Sequence, residues 1–215
     1  MVPSSYSPLH RMVTSQLETG HTMINARRIA RRIGTLMLAA FLFYGIGSSL
    51  ATTASAGALL TTGVAMMLLN SVAVVAIGAL MLPILRLHAP AVAVGYLATR
   101  IFEGGFLAVG AIALLVGVSG ANFLAYNIAM AGLGIGSLFF CVALYRSRLV
   151  PRFLAVWGFV GYASFAAGCF LELAGVAGAG LVSTVPGGLF EIFFAIWLIA
   201  RGLGSTAAIT VTARA

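Results

Sequence analysis

The sequence predicts an all-α integral membrane protein, a bundle of six transmembrane helices. Three observations carry that expectation. Of 215 residues, 61% are hydrophobic and only 7% charged, and the mean hydropathy is +1.11. A soluble domain carries about 25% charged residues, so this chain has too few to cover a water-facing surface. Apolar runs near the length that crosses a bilayer, about 20 residues, recur along the chain. The basic residues fall in alternate connections between those runs.

The six runs are Ile33–Thr52, Ala58–Leu85, Ala91–Val118, Phe123–Tyr145, Phe153–Gly175 and Val185–Ile199. The first follows Arg27, Arg28, Arg31 and Arg32. Arg31-Arg32, the apolar run and Ala54-Ser55-Ala56 also fit a secretory signal with its small-residue cleavage site. The run is long for such a segment and a long polar stretch precedes it, so a retained first helix is expected. The second run is long enough to tilt, or to emerge as a helix before Pro90. The fourth carries Gly132 and Gly136 as a GxxxG, and Gly158, Gly161, Gly168 and Gly175 thread the fifth. Small residues of this kind let helix backbones approach in lipid. The sixth run is short unless it extends past Gly202, and Pro186-Gly187-Gly188 is expected to break its start.

Arg86 and His88 occupy the second connection and Arg146, Arg148 and Arg152 the fourth, while Arg201 and Arg214 follow the sixth run. The first, third and fifth connections contain no Arg. By the positive-inside rule both termini are cytoplasmic. The expected organisation is a flexible cytoplasmic tail at 1–26, a membrane domain at 27–204 and a second tail at 205–215. Within it, residues 23–34 read as a short basic amphipathic helix on anionic lipid.

Several function classes drop out. The net charge of +8 comes from arginines that flank apolar runs, a topology signal, so no nucleic-acid partner is expected. The chain has no Lys, which excludes a retinal-type Schiff base and a lysine nucleophile. Cys141 and Cys169 lie in apolar runs and read as small hydrophobes. His10, His21 and His88 are scattered at or outside membrane edges. No cofactor and no metal site is expected.

The informative residues are charges inside the apolar runs. Arg100 lies about 13 Å and Glu103 about 18 Å from the start of the third run, at a rise of ~1.5 Å per residue. Residues i and i+3 share a helix face, so the two can pair. Glu191 in the antiparallel sixth run falls at a depth similar to that of Glu103. An ionised side chain at mid-bilayer costs roughly 2.5–3.5 kcal/mol on insertion scales and marks a functional site by default. Two carboxylates with one guanidinium suit proton relay, cation binding or acid–base chemistry. A structural Arg–Glu clamp between the third and sixth helices fits the same spacing. Asn70, Asn127 and Glu172 complete the candidate set, the last near the outer end of the fifth run. Ile101-Phe102-Glu103 and Leu189-Phe190-Glu191 echo each other, as inverted three-helix halves of a transporter would.

Arg100-Ile101-Phe102-Glu103, the stretch Tyr145-Arg146-Ser147-Arg148-Leu149-Val150-Pro151-Arg152, and Val185-Pro186 with Glu191 and Trp197 through Gly202 carry a resemblance. Over most of residues 27–203 the chain resembles the bacterial membrane family called domain of unknown function 4386. The resemblance implies a multi-helix protein of the bacterial inner membrane and supplies no activity. The family pattern often has Gly after the first Arg-Ser of the basic loop, where this chain has Arg148.

Three functions fit these residues. One is a small transporter or ligand-binding module, taking a small hydrophobic or cationic ligand at Arg100, Glu103 and Glu191. Another is an intramembrane enzyme acting on an isoprenoid or lipid through Glu acid–base chemistry, with Phe102, Phe106, Tyr126 and Trp157 lining the site. The third is a structural or regulatory subunit whose expected neighbours are lipid and an unidentified partner.

Overall fold

The computed structural model describes residues 8–53 and 56–204, with side chains from residue 26 onward. The expected tail at 1–26, apart from Ala26, and the tail at 205–215 lie outside the residues whose side chains are described. Six helices follow in order: α1 (Pro8–Thr53), α2 (Ala58–Arg86), α3 (Pro90–Leu115), α4 (Ala121–Ser147), α5 (Arg152–Leu173) and α6 (Ala179–Ala200). Each contains a stretch long and apolar enough to cross a membrane, Ala26–Thr53 in the case of α1. The shortest, 22 residues, reaches about 33 Å at ~1.5 Å per residue, against a hydrocarbon core of about 30 Å. Residues 26–34 continue directly into the first span rather than forming the separate helix expected at 23–34.

Consecutive helices pack side by side, and α6 closes back onto α1, so the bundle is a ring in chain order. Close approach at the seams rests on small residues. A Cβ on Gly47 of α1 would lie 2.8 Å from the Gly63 carbonyl of α2, and one on Gly161 of α5 would lie 2.8 Å from the Cα of Gly187 in α6. Gly34 faces the Ala195 carbonyl where α1 meets α6. Of the glycines read from the sequence as packing positions, Gly132, Gly136, Gly158, Gly161 and Gly168 take that role against the neighbouring helix, whereas Gly175 lies past the end of α5 at φ 96 with open space where a Cβ would be. Large apolar side chains such as Leu42, Leu69, Val72 and Leu181 point outward, as a lipid-facing girdle requires.

The sixth helix differs from the sequence expectation. It starts at Ala179, not Val185, and Pro186-Gly187-Gly188 lies inside it instead of breaking its start. The length missing from the apolar run comes from Ala179–Thr184, not from residues beyond Gly202, where a left-handed glycine (φ 74) turns the chain. Proline lacks the N–H of one helical hydrogen bond. The absent side chains at Gly187 and Gly161 let α5 pack against the same turn.

The two ends of the ring differ in charge. Arg27, Arg28, Arg31, Arg32, Arg86, Arg146, Arg148, Arg152 and Arg201 gather at one end, and no described arginine lies at the other. Arg148 ends α4 with φ 54, the one non-glycine residue with positive φ among those described.

Candidate functional site

Arg100, Glu103 and Glu191 meet. Arg100 lies ten residues into α3, Tyr162 ten residues into α5, and Glu191 nine residues before the end of α6. At ~1.5 Å per residue all three sit about 14–15 Å above the arginine-rich end. Glu191 is thus level with Arg100, about one turn below the depth expected for it, because α6 starts at Ala179 and not at Val185.

The Arg100 guanidinium holds the cluster together. Its Nη1 donates to Glu103 Oε2 at 2.9 Å, and its Nη2 donates to Glu191 Oε1 at 3.4 Å. Its Nε donates to the Tyr96 hydroxyl at 3.0 Å, and its Cζ lies 5.2 Å from the centre of the Tyr96 ring. Tyr162 donates to the same Glu191 oxygen at 2.6 Å. Arg100, Glu103 and Glu191 are 2%, 4% and 9% exposed, so both ion pairs are withdrawn from solvent and lipid. The Arg100–Glu191 pair spans the middle of the ring, joining two helices that are not neighbours in it.

Packing explains why the guanidinium reaches the centre. Gly78 of α2 faces the Arg100 stem, and a Cβ there would lie 2.9 Å from Arg100 Cβ. Toward the arginine-rich end the site is sealed by rings. Tyr96 stacks on Phe140 with centroids 4.3 Å apart, Phe140 meets Phe194 edge-on, and Phe194 stacks on Phe190.

On the opposite side lies a cavity of about 170 Å³ that draws residues from all six helices. Arg100, Glu103 and Glu191 form its polar floor. Tyr44 and Tyr126, stacked at 5.5 Å, stand in its wall, and aliphatic residues such as Met37, Leu107 and Leu133 line the rest. Asn70 also lines it and is 3% exposed. The cavity therefore presents one guanidinium, two carboxylates and an amide to whatever occupies it. Such an arrangement can hold a proton or a small cation against the second carboxylate while apolar walls enclose the remainder of a ligand.

The other candidates fall elsewhere. Asn127 is buried but donates to the Phe123 carbonyl of its own helix at 3.0 Å and does not line the cavity. Glu172 sits at the far end of α5 and caps α6, accepting from Gly178 N at 3.2 Å and Gly180 N at 2.8 Å. Its carboxylate meets the first free N–H groups of the helix, where negative charge is favoured. Of the four rings named for an enzyme site, Tyr126 alone lines the cavity. Phe102 packs on Gly132 at the ring's outside, and Trp157 packs on Phe193. Tyr96 and Tyr162 belong to the site and were not singled out for it. Tyr96 was readable as the i−4 neighbour of Arg100. Tyr162 had only its depth to mark it.

Fold and site together define a ring of six helices, each long and apolar enough to cross a membrane, with a charged, partly hollow centre. Residues 116–202, which span α4 to α6, match the family model described as Domain of unknown function (DUF4386). The family resemblance read from the sequence holds over that stretch, which contains Tyr162, the basic α4–α5 loop and Glu191. Arg100 and Glu103 lie outside it. The chain has no match among curated proteins and none among solved structures.

Proposed function

We propose that the chain is a multi-pass protein of the bacterial cytoplasmic membrane, with both termini inside, that binds a small ligand at the centre of its ring, as a small transporter or ligand-binding module. One observation carries this reading: the Arg100, Glu103 and Glu191 cluster forms the floor of a cavity instead of being packed on every side. A buried charge left uncompensated costs several kcal/mol, so the second carboxylate takes up one positive charge, as a proton or with the ligand. The stacked tyrosines favour a compact organic cation, which aromatic faces attract. The arginine-rich end is placed in the cytoplasm by the positive-inside rule, so the cavity side of the cluster faces outward.

The test uses the purified full chain and tetramethylammonium as probe, with calorimetry and proton release in weak buffer as readouts. Saturable binding that releases about one proton, and is lost in both Glu103→Gln and Glu191→Gln, is expected. Binding indifferent to both substitutions refutes the reading. Fluorescent-protein and alkaline-phosphatase fusions at the C-terminus test the orientation; an active phosphatase fusion refutes it.

A second reading has its own support. Tyr96 and Tyr162 complete a hydrogen-bonded network that joins α3, α5 and α6, which is what a structural clamp needs. An apolar or neutral replacement of the whole cluster that keeps cellular activity favours the clamp.

A further inference from the structure

A second cavity lies at the arginine-rich end, outside the central site. Its volume is about 540 Å³, and Arg148, Arg152 and Arg201 line it together with Trp197, Leu149 and Leu203. It is built where the α4–α5 loop meets the end of α6. The Gly204 N–H donates to the Leu149 carbonyl at 2.9 Å and ties the chain past α6 to that loop.

Among the residues whose side chains are described, no carboxylate offsets the charge in this pocket. From residue 26 onward, where side chains are described, the carboxylates are Glu103 and Glu191, mid-helix, and Glu172, at the opposite end. Among the described residues neither Arg148, Arg152 nor Arg201 has a carboxylate partner. Three arginines lining one hollow suit an oxyanion, because the planar guanidinium fork matches phosphate oxygens. The lining is also half apolar. Trp197, Leu149 and Leu203 offer a surface for the glycerol and first methylenes of a lipid, at the level where a membrane's headgroups begin.

The backbone supplies an independent observation. Arg148 holds φ 54 at the end of α4, a helix-terminating position that glycine takes without steric penalty and a side chain does not. Arg148 lines the pocket from the one position in the loop where the backbone disfavours having a side chain.

We infer that this pocket binds a phosphate group, carried either by an anionic phospholipid headgroup or by a soluble phosphate ester. The site is separate from the central cavity and does not depend on how that cavity functions. Arg148, at the end of α4, and Arg201, at the end of α6, supply its guanidinium partners. Arg152, whose Cζ lies 5.2 Å from the centre of the Tyr145 ring, adds charge from the start of α5.

Native mass spectrometry of the detergent-purified full chain tests this, with phosphatidylglycerol, phosphatidylcholine and inorganic phosphate as probes. Preferential retention of phosphatidylglycerol over phosphatidylcholine is expected. Arg148→Gly and Arg201→Gln should each weaken it about fivefold, the typical share of one basic residue at a lipid surface. Arg148→Gly is the decisive variant, because glycine suits the backbone there and the melting temperature should stay level or rise. Retention that millimolar inorganic phosphate competes away identifies a soluble phosphate ester as the source. Retention that resists it identifies the lipid. Equal retention of both lipids, or phosphatidylglycerol retention unchanged in the Arg148→Gly/Arg201→Gln double variant, overturns the inference.

Discussion

Replacing Arg100 by methionine should destabilise the ring in a way that depends on which carboxylate is neutralised next. Methionine keeps an unbranched stem against Gly78, so the loss is one of charge more than of packing. The substitution removes the donors to Glu103 at 2.9 Å, Glu191 at 3.4 Å and Tyr96 at 3.0 Å. Breaking a buried pair by removing one partner costs about 3–5 kcal/mol. In a chain of this size that lowers the melting temperature by roughly 6–20 °C, at about 2–4 °C per kcal/mol. The two carboxylates are not left alike. Glu191 keeps the Tyr162 hydroxyl at 2.6 Å, whereas Glu103 has no other hydrogen-bond donor among the described residues. Adding Glu103→Gln to Arg100→Met should therefore recover more stability than adding Glu191→Gln does. Thermal unfolding of detergent-purified protein, followed by circular dichroism through the full double-mutant cycle, reads both differences. Arg100→Met costing under about 1 kcal/mol, the range of an exposed pair, would refute the reasoning. Equal rescue by the two glutamines would refute the asymmetry.

Other perturbations follow from the same geometry. Tyr162→Phe removes a hydrogen bond to a carboxylate and should cost about 1.5–3 kcal/mol, an effect that shrinks in a Glu191→Gln background when the two are compared by thermal unfolding. Gly78→Ala sets a methyl 2.9 Å from Arg100 Cβ and should destabilise by about 1–3 kcal/mol through overpacking; Gly95→Ala, where a Cβ meets nothing within 4 Å, is the neutral control. Glu172→Gln keeps the shape of the α6 cap and loses its charge, so a loss of about 0.3–1 kcal/mol is expected, read as faster hydrogen exchange over Gly178–Val182 with the central cluster unaffected. Leu133→Trp should fill the central cavity and abolish tetramethylammonium binding while leaving phosphatidylglycerol retention intact.

The length and apolar character of the helices are legible because hydrophobicity and the spacing of charges are local properties of the chain. Arg100 and Glu103 could be paired on sight, since three residues apart on a helix means neighbours. Glu191 could be assigned to their neighbourhood only through a count of depths. That count erred by about a turn because Pro186 was read as a boundary, and the helix in fact continues through it from Ala179. Tyr162 was out of reach: its partner is 29 residues away, and a tyrosine in an apolar run looks like many others. The role of Glu172 was hidden for a related reason. Its carboxylate turns back onto Gly178 and Gly180, which requires knowing that the next helix begins there. The cavity had no signature at all, because hollow space arises from how six surfaces meet.

Five of the ring's six seams are bridged by a short loop, and the sixth, between α1 and α6, is held by side-by-side packing and by the Arg31 Nε donation to the Ile199 carbonyl at 3.3 Å. It is also the sparsest of the six. Compliance in this molecule is consequently uneven, like that of a hoop with one unstitched join. An occupant too large for the central hollow strains that join first, and both helices beside it contribute to the hollow's wall, through Phe41 on one side and Thr184 on the other. The path of least resistance out of the ring runs sideways, between α1 and α6.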